Sequence, residues 1–324
     1  MRTSILQLLR ENQNEFLSGE WLSSQLGCSR TAVWKHIQTL LDRGYEIEAV
    51  RNKGYRLKVF SDAFTEDAVI GQIRAVWPDA AVEFYSSASS TQTLAHRLLE
   101  TMTAERGIVI ADEQTNGKGR LGRSFSSQKG EGIWVSIVMR PNIPVHQMPQ
   151  LTLVTATAVC KAVREQTGIE LTIKWPNDLL LNGKKCCGIL TEVQSDPDQV
   201  KSMIVGIGLN VNNNDFPEWL FDKATSLSME TGERFDRLQL LSALIHSMET
   251  MFSLYEEKGF SVIKPIWEAS AESPGANIRA RTRERVYEGI NRGIDDDGVL
   301  LIEKENGEIE RLLSADIEKI PDKS

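Results

Sequence analysis

The chain has 324 residues, 41% of them hydrophobic and 25% charged, with a formal net charge of -8. That length provides for two or three domains with sizeable cores, and 23 Gly and 10 Pro are too ordinary for a collagenous or low-complexity chain. Apolar runs such as 133–135 are too short to cross a bilayer, and Gln7, Arg10 and Glu11 interrupt any signal-peptide core. Four cysteines are too few for a disulfide scaffold and four histidines form no ligand cluster, so the expected compartment is the cytoplasm, with no membrane partner.

The charge is unevenly placed. Residues 1–60 hold nine Lys/Arg and six Asp/Glu, a net +3, so the remaining 264 carry -11. Here Ile5, Leu8 and Leu9 form one apolar stripe, and Trp21, Leu22 and Leu26 form a second that ends at Gly27. Ser29 is a candidate N-cap for a third helix with Val33, Ile37, Leu40 and Leu41 on its core face and Gly44 as its stop. Residues 45–58 alternate around Asn52-Lys53-Gly54, a hairpin-turn signal. This order predicts a winged helix-turn-helix over 1–60. Ser29, Arg30, Thr31, Trp34 and Lys35 then lie on or near the outer face of the third helix, suited to base edges and phosphates. Arg51 and Lys53 on the wing fall beside the nucleic-acid backbone or in a minor groove. The alternative is a solvated face on a packing module, since +3 is modest. One such unit neutralises few phosphates, so specific operator binding calls for a homodimer on a two-fold repeat.

Residues 61–66 are polar and read as a linker. Strand-like runs at 82–85, 107–111, 133–139, 171–174 and 203–210 then mix with helical patterns at 91–102 and 150–166. The mixture predicts an α/β or α+β domain over 67–272. Its most informative segment is Gly117-Lys118-Gly119-Arg120-Leu121-Gly122-Arg123. This fits the letters of a dinucleotide fingerprint, but the polar SFSSQKGEG that follows cannot supply the required helix. What is left is a flexible glycine loop whose Lys118, Arg120 and Arg123 suit a polyanion, or else an ordinary charged surface loop.

Downstream, Lys174-Trp175-Pro176-Asn177-Asp178 ends a strand, and Asn182-Gly183 reads as a hairpin turn. Asp178 near a phosphate loop is a candidate Mg²⁺ ligand with Asn177 orienting it, although a Pro-Asn-Asp turn is commonly only a turn. The glycines of Gly206-Ile207-Gly208-Leu209-Asn210 allow a ligand close to the backbone. Trp134 reads as sheet packing, and Cys186-Cys187 beside Lys185 reads either as a reactive pair with a lowered thiol pKa or as buried small hydrophobes. From Pro274-Gly275 onward, short strands at 277–283, 286–292, 299–303 and 308–313 with turns at Asp297-Gly298 and Asn306-Gly307 predict a small antiparallel barrel over 273–324. Arg279, Arg281, Arg283 and Arg285 alternate there, either as a solvated face or as a contact for phosphates or an acidic partner.

The ordered set Ser90-Thr91-Gln92, Gln114 before GKGRLGR, KWPND, NGKKCCGIL and GIGLN resembles the biotin–protein ligases across essentially the whole chain. With the leading winged helix, it is similar to the bacterial class that also represses biotin genes. The resemblance implies a multidomain α+β fold: a winged helix-turn-helix, a class II synthetase-like ligase domain and an SH3-like barrel. It implies ATP-dependent, AMP-forming ligation, with Mg²⁺, biotin as substrate and biotinyl-5′-AMP as intermediate and corepressor. The implied partners are a biotin carboxyl carrier protein and operator DNA bound by a homodimer. Catalysis falls to Arg120, Arg123, Lys185 and Asp178. Biotin binding falls to Ser90, Thr91, Gln92, Gln114, Lys118, Gly119, Arg120 and Lys185. Arg120, Arg123, Asn177, Asp178 and Asn210 fall on the ATP side, with Asp178 at the metal. Trp219 and 224–227 would line the adenine, and strand 132–139 would be the dimer edge. The family commonly has Arg where this chain has Lys118 and often Trp where it has Phe125, a candidate wall for the biotin tail. A ligand-sensing regulator with an inactive ligase-like domain and a ligase for another acid such as lipoate are the competing readings.

Overall fold

A computed structural model describes residues 5, 8, 9, 12, 15–42, 47–51, 53–57, 64–141, 143–282 and 284–321. The expected helix stop at Gly44, turn residue Asn52, linker residues 61–63 and Arg283 lie outside the described residues. The chain divides into two compact units, Met1–Ala68 and Val69–Ser324.

In the first unit Ile5, Leu8 and Leu9 are helical, and helices α1 (Gly19–Leu26) and α2 (Arg30–Asp42) follow. Local chemistry sets their ends. Ser18 Oγ accepts from Trp21 N–H at the start of α1, Gly27 closes it in the left-handed conformation, and Ser29 Oγ accepts from Ala32 N–H at the start of α2. Ile5, Leu9, Leu22, Val33 and Ile37 are fully buried, but Trp21, read as apolar core, is 39% exposed. Strands β1 (Ile47–Val50) and β2 (Gly54–Leu57) pair antiparallel as the wing. Leu17 adds a bridge that the sequence did not signal, exchanging two 2.8 Å backbone hydrogen bonds with Tyr55. The close approach explains Gly54: at φ +110° a Cβ would stand 2.1 Å from Leu17 O.

The second unit is built on a seven-stranded sheet. Its strands are β3 (Ala81–Tyr85), β4 (Gly107–Ala111), β7 (Gly132–Met139), β8 (Thr172–Lys174), β9 (Asp178–Leu181), β10 (Lys184–Ser195) and β11 (Val200–Asn210), in the order β3-β4-β7-β11-β10-β9-β8. Only β3–β4 is parallel, and helix α4 (Thr91–Thr101) connects that pair; helix α3 (Glu66–Val76) precedes it. The β9–β10 turn has positive φ at both Asn182 and Gly183, as a tight two-residue hairpin of matching twist requires. Because side chains alternate along strands, Ser136, Gly206, Gly208, Gly188, Leu190 and Glu192 share one face through the pairs Gly206↔Ser136, Gly188↔Gly208, Leu190↔Gly206 and Glu192↔Ile204. Helix α4 covers part of this face with Ala95 and Leu98 against Val109, Val138 and Ile204. Each of the Leu, Val and Ile side chains contributes about 1.5–3 kcal/mol on full burial. Helix α5 (Met148–Thr167) reaches the opposite face, where Thr152 Oγ1 donates to Thr191 Oγ1 at 2.8 Å, and packs on α7 (Arg237–Lys258), which follows the short α6 (Leu227–Thr231) and precedes α8 (Lys264–Ala269).

Two expectations are corrected here. Segment 117–123 is part of a two-stranded ribbon, β5 (Gln114–Lys118) with β6 (Ser124–Ser127), joined by a tight turn over Arg120–Gly122. Backbone pairing and the Gln114–Ser127 hydrogen bond order what the glycines alone left open. Strand 132–139 is no free edge: β4 and β11 pair with it on either side and all eight residues are buried.

The C-terminal strands β12 (Asn277–Arg281), β13 (Val286–Ile294), β14 (Leu300–Glu303), β15 (Ile309–Leu312) and β16 (Asp316–Lys319) form an antiparallel sheet in the order β15-β14-β13-β12-β16. The fifth strand, β16, carried no turn signal of its own. The turn at Gly298 docks against the β8–β9 turn and helix α5 (Met148–Thr167): Trp175 Nε1 donates to Gly298 O at 3.2 Å and Gln150 Nε2 donates to Asp296 O at 2.9 Å. Arg279 is engaged by Glu288 and Glu318, and Arg281 by Glu318, so these two members of the arginine row are paired on a solvated face.

Candidate functional site

A cavity opens on the α4 side of the sheet. Three elements supply its walls: the start of α4 (Ser90, Thr91, Gln92), the β5–β6 ribbon (Gln114, Lys118, Gly119, Arg120, Phe125), and the strands beneath, including Ser136, Asn177, Lys185 and the glycines 188, 206 and 208. All eight residues expected at biotin are therefore brought together, with Asn177 from the ATP set. Arg123, Asp178 and Asn210 do not line it. Arg123 is held by Asp316, Asp178 Oδ1 lies 2.7 Å from Lys185 Nζ, and Asn210 Nδ2 donates to Thr225 O at 3.0 Å.

The glycines give the floor its shape. A Cβ on Gly208 would come 2.7 Å from the Phe125 ring, one on Gly188 would come 2.8 Å from Lys185 Cε, and one on Gly206 would come 2.6 Å from Gln92 Oε1. Phe125 thus lies over a side-chain-free patch, edge-on to Trp134 at 5.9 Å, with Lys185 Nζ 5.6 Å from its ring centre. Trp134 itself is fully buried and donates to Gln128 O, in keeping with sheet packing.

The inner end is a hydrogen-bonded network. Gln114 Oε1 accepts from Thr91 N–H at 2.9 Å and from Thr91 Oγ1 at 3.1 Å, while Gln114 Nε2 donates to Ser127 Oγ at 2.8 Å. Ser136 Oγ lies 2.9 Å from Thr91 Oγ1 and 3.0 Å from Gln92 Oε1. Ser90 Oγ is buried and has no partner among the described residues, a free donor and acceptor at the N-cap of α4. Ser136 is the residue that sequence reasoning missed; its polar position inside the apolar run Gly132–Met139 was the available signal. Residues 188, 189 and 190 also line the cavity without having been singled out.

The outer end is cationic. Arg120 Nη1 donates to Asn177 Oδ1 at 2.7 Å and Nη2 to Ser314 Oγ at 2.6 Å, and Asn177 Nδ2 donates to Ile189 O. Burial draws the Arg120 pKa down, against the pull of Asp316 and Asp178. The hydrogen bond to Asp316 raises that of Arg123. Asn210 Oδ1 is buried and unpartnered among the described residues. No cluster of three His, Cys, Asp or Glu that could hold a metal ion occurs among the described residues, so an ion at Asp178 would have few protein ligands. Such a site fits an ion carried by a nucleotide's phosphates, with one protein ligand. Cys160, Cys186 and Cys187 are buried, and burial pushes Cys160 up to about 12 and the other two well above their ordinary range. They are packing groups.

On the first unit, Ser29, Arg30, Thr31, Trp34, Lys35, Arg51 and Lys53 are all exposed. Arg30, Thr31 and Trp34 face Arg51 and Lys53 across a groove between α2 and the wing. Phe16, not singled out from sequence, lies under the Arg56 guanidinium at 4.4 Å and the Lys53 ammonium at 5.8 Å.

Residues 84–212 match the Biotin/lipoate A/B protein ligase family, 2–56 an HTH domain and 275–319 the Biotin protein ligase C terminal domain. The chain is 46% identical over 320 residues to the Bifunctional ligase/repressor BirA of Bacillus subtilis (strain 168), covering 98% of both chains. It is 30% identical over 292 residues to the protein of that name from Escherichia coli (strain K12), covering 90% of this chain and 89% of that one. A solved biotin protein ligase from Aquifex aeolicus, in complex with biotin and ATP, is similar with a TM-score of 0.65 and 31% identity, over 74% of this chain and 99% of that one.

Proposed function

The chain belongs to the biotin protein ligase family, in its bifunctional ligase/repressor branch, and from that we propose that it couples biotin to ATP, transfers biotin to a carrier protein and represses transcription. The carrying observation is the convergence of a hydrogen-bonding inner end and a cationic outer end in one cavity. The regulator with an inactive ligase-like domain is disfavoured because Arg120, Lys185 and Asp178 stand together at the outer end.

The cavity's polarity suits a ligand with a ureido head and an acid tail. Ser90, Thr91, Gln92 and Gln114 hold the head, Phe125 covers the tail, and Lys118, Arg120 and Lys185 meet the carboxylate. In the first step a biotin carboxylate oxygen bonds to the α-phosphorus of ATP as the bond to pyrophosphate breaks, giving biotinyl-5′-AMP. The carboxylate is already ionised, so no base is needed; the obstacle is anion–anion repulsion. Lys185 and Arg120 offset it by fixed positive charge and alignment. Arg123 exchanges Asp316 for phosphate oxygens, and Asn177 and Asn210 hold the nucleotide. Asp178 would hold an Mg²⁺ ion carried by ATP, which would supply further charge neutralisation. In the second step the carrier lysine, after losing a proton, attacks the acyl carbon and AMP leaves. Solvent and Asp178 are the candidate proton acceptors.

The exposed residues of α2 and the wing bind operator DNA, and a homodimer supplies two such readers. Biotinyl-AMP acts as corepressor by binding the dimer-competent state more tightly. No helix among the described residues is long and apolar enough to cross a membrane. The reading is tested by incubating the protein with ATP, Mg²⁺ and either biotin or lipoate, and following pyrophosphate release and carrier labelling. Absence of biotin-dependent pyrophosphate refutes it.

A further inference from the structure

Behind the cavity's inner end stands a carboxylate that the reaction does not use. Glu192 Oε2 accepts from Gln92 Nε2 at 2.8 Å and lies 2.8 Å from His96 Nε2 on the next turn of α4. Burial raises the Glu192 pKa, but the bonds from Gln92 and His96 outweigh it and hold the carboxyl below its ordinary range. An ionised carboxylate only accepts, so it fixes which end of the Gln92 amide faces it. Nε2 turns to Glu192 and to Ile204 O at 3.4 Å, and Oε1 turns to Ser136 and the cavity.

The proton count follows from that choice. Thr91 Oγ1 gives its proton to Gln114 Oε1, and Ser136 has one proton to give. With Gln92 Oε1 in place, Ser136 donates to it, and both Thr91 and Ser136 keep lone pairs free. With the amide reversed, Gln92 Nε2 would donate to Ser136, whose proton would then occupy Thr91 Oγ1, and Gln92 Oε1 would face the Glu192 carboxylate. We propose that Glu192, braced by His96, is a positioning residue that makes the inner end rich in acceptors and so selects a ligand presenting paired N–H donors, the ureido class. The inference rests on the biotin reading of this cavity. It adds a residue that does not itself line the cavity and reaches it through Gln92, with Lys118 also within range of its charge.

The experiment compares wild type with Glu192→Leu, which removes the acceptor, and Glu192→Gln, which keeps one. Readouts are biotin Kd by calorimetry, KM for biotin and for ATP, kcat, and thermal midpoint. Loss of one charge-assisted hydrogen bond predicts a biotin Kd and KM roughly tenfold higher for Glu192→Leu. KM for ATP and kcat at saturating biotin should stay within twofold of wild type. Glu192→Gln should recover biotin affinity to within about threefold, since its carbonyl can accept from Gln92. A folded Glu192→Leu protein with wild-type biotin affinity overturns the proposal, as does a parallel rise in both KM values or a Glu192→Gln variant as weak as Glu192→Leu. Should Glu192→Leu fail to fold, Glu192→Gln together with His96→Ala decides: full wild-type affinity in that double variant overturns the proposal, and a loss beyond threefold supports it. If wild type itself binds no biotin, the functional reading fails, a different result from any of these.

Discussion

Gly206→Ala tests how narrowly the cavity floor is set. The added Cβ would stand 2.6 Å from Gln92 Oε1 and 3.5 Å from Ser136 Oγ, the first well inside a contact distance of about 3.5 Å. Gln92 cannot retreat, because Nε2 is bonded to Glu192 and Ile204 O, so its carbonyl must swing into the space the ligand head needs. Overpacking of this kind costs about 1–3 kcal/mol, which predicts a biotin KM raised roughly 5- to 150-fold. Stability should suffer less. Gly206 lies in an extended strand without positive φ, where Ala is favoured over Gly by about 0.5–1 kcal/mol, so the thermal midpoint should fall by only a few degrees. Gly208→Ala is the control. Its Cβ would meet the Phe125 ring at 2.7 Å, a half-buried side chain that can rotate aside, so biotin KM should rise only a few-fold. Steady-state pyrophosphate release at varied biotin and saturating ATP measures both. A folded Gly206→Ala enzyme with biotin KM within twofold of wild type would refute the reasoning.

Other outcomes follow from the same geometry. Arg120→Gly removes the bonds to Asn177 and Ser314 and the charge facing the carboxylate, so biotinyl-AMP should dissociate at least tenfold faster; unchanged retention on rapid gel filtration contradicts the role given to Arg120. Trp34→Ala, at an exposed side chain on α2, should weaken operator binding in a fluorescence titration while leaving pyrophosphate release within twofold; unaltered DNA affinity removes Trp34 from the interface. Iodoacetamide at pH 8 should label Cys28 and spare Cys160, Cys186 and Cys187. Burial keeps those three thiols closed and protonated, and mass spectrometry that found them labelled in folded protein would contradict this.

Much of this protein was legible in one dimension because the signals are local. Ser29 caps its helix through a bond to the residue three positions on, and Asn182-Gly183 supplies its own turn geometry. Short continuous apolar runs placed β4 and β7, and Ser90-Thr91, the GKGRLGR run and Lys185 marked the walls of a site. Helix α7 was also readable: Leu238, Leu241, Ile245, Met248, Phe252 and Tyr255 recur at helical spacing and are buried, although sequence reasoning passed over them.

What the sequence could not decide depends on pairing between distant segments. Strand 132–139 looks equally apolar as an edge or a centre, and only its pairing with β4 and β11 makes it interior. The arginine row near 279–281 looks like a free cationic face until β13 and β16 bring Glu288 and Glu318 beside it. The pairing of Arg123 with Asp316, 193 positions away in the chain, likewise has no local signature. Composition and motif order determined that a basic N-terminal segment precedes an acidic remainder holding a cationic glycine-rich run. The tertiary structure decided which of those cations are free to meet a ligand, because charge is neutralised by neighbours in space and not by neighbours in sequence.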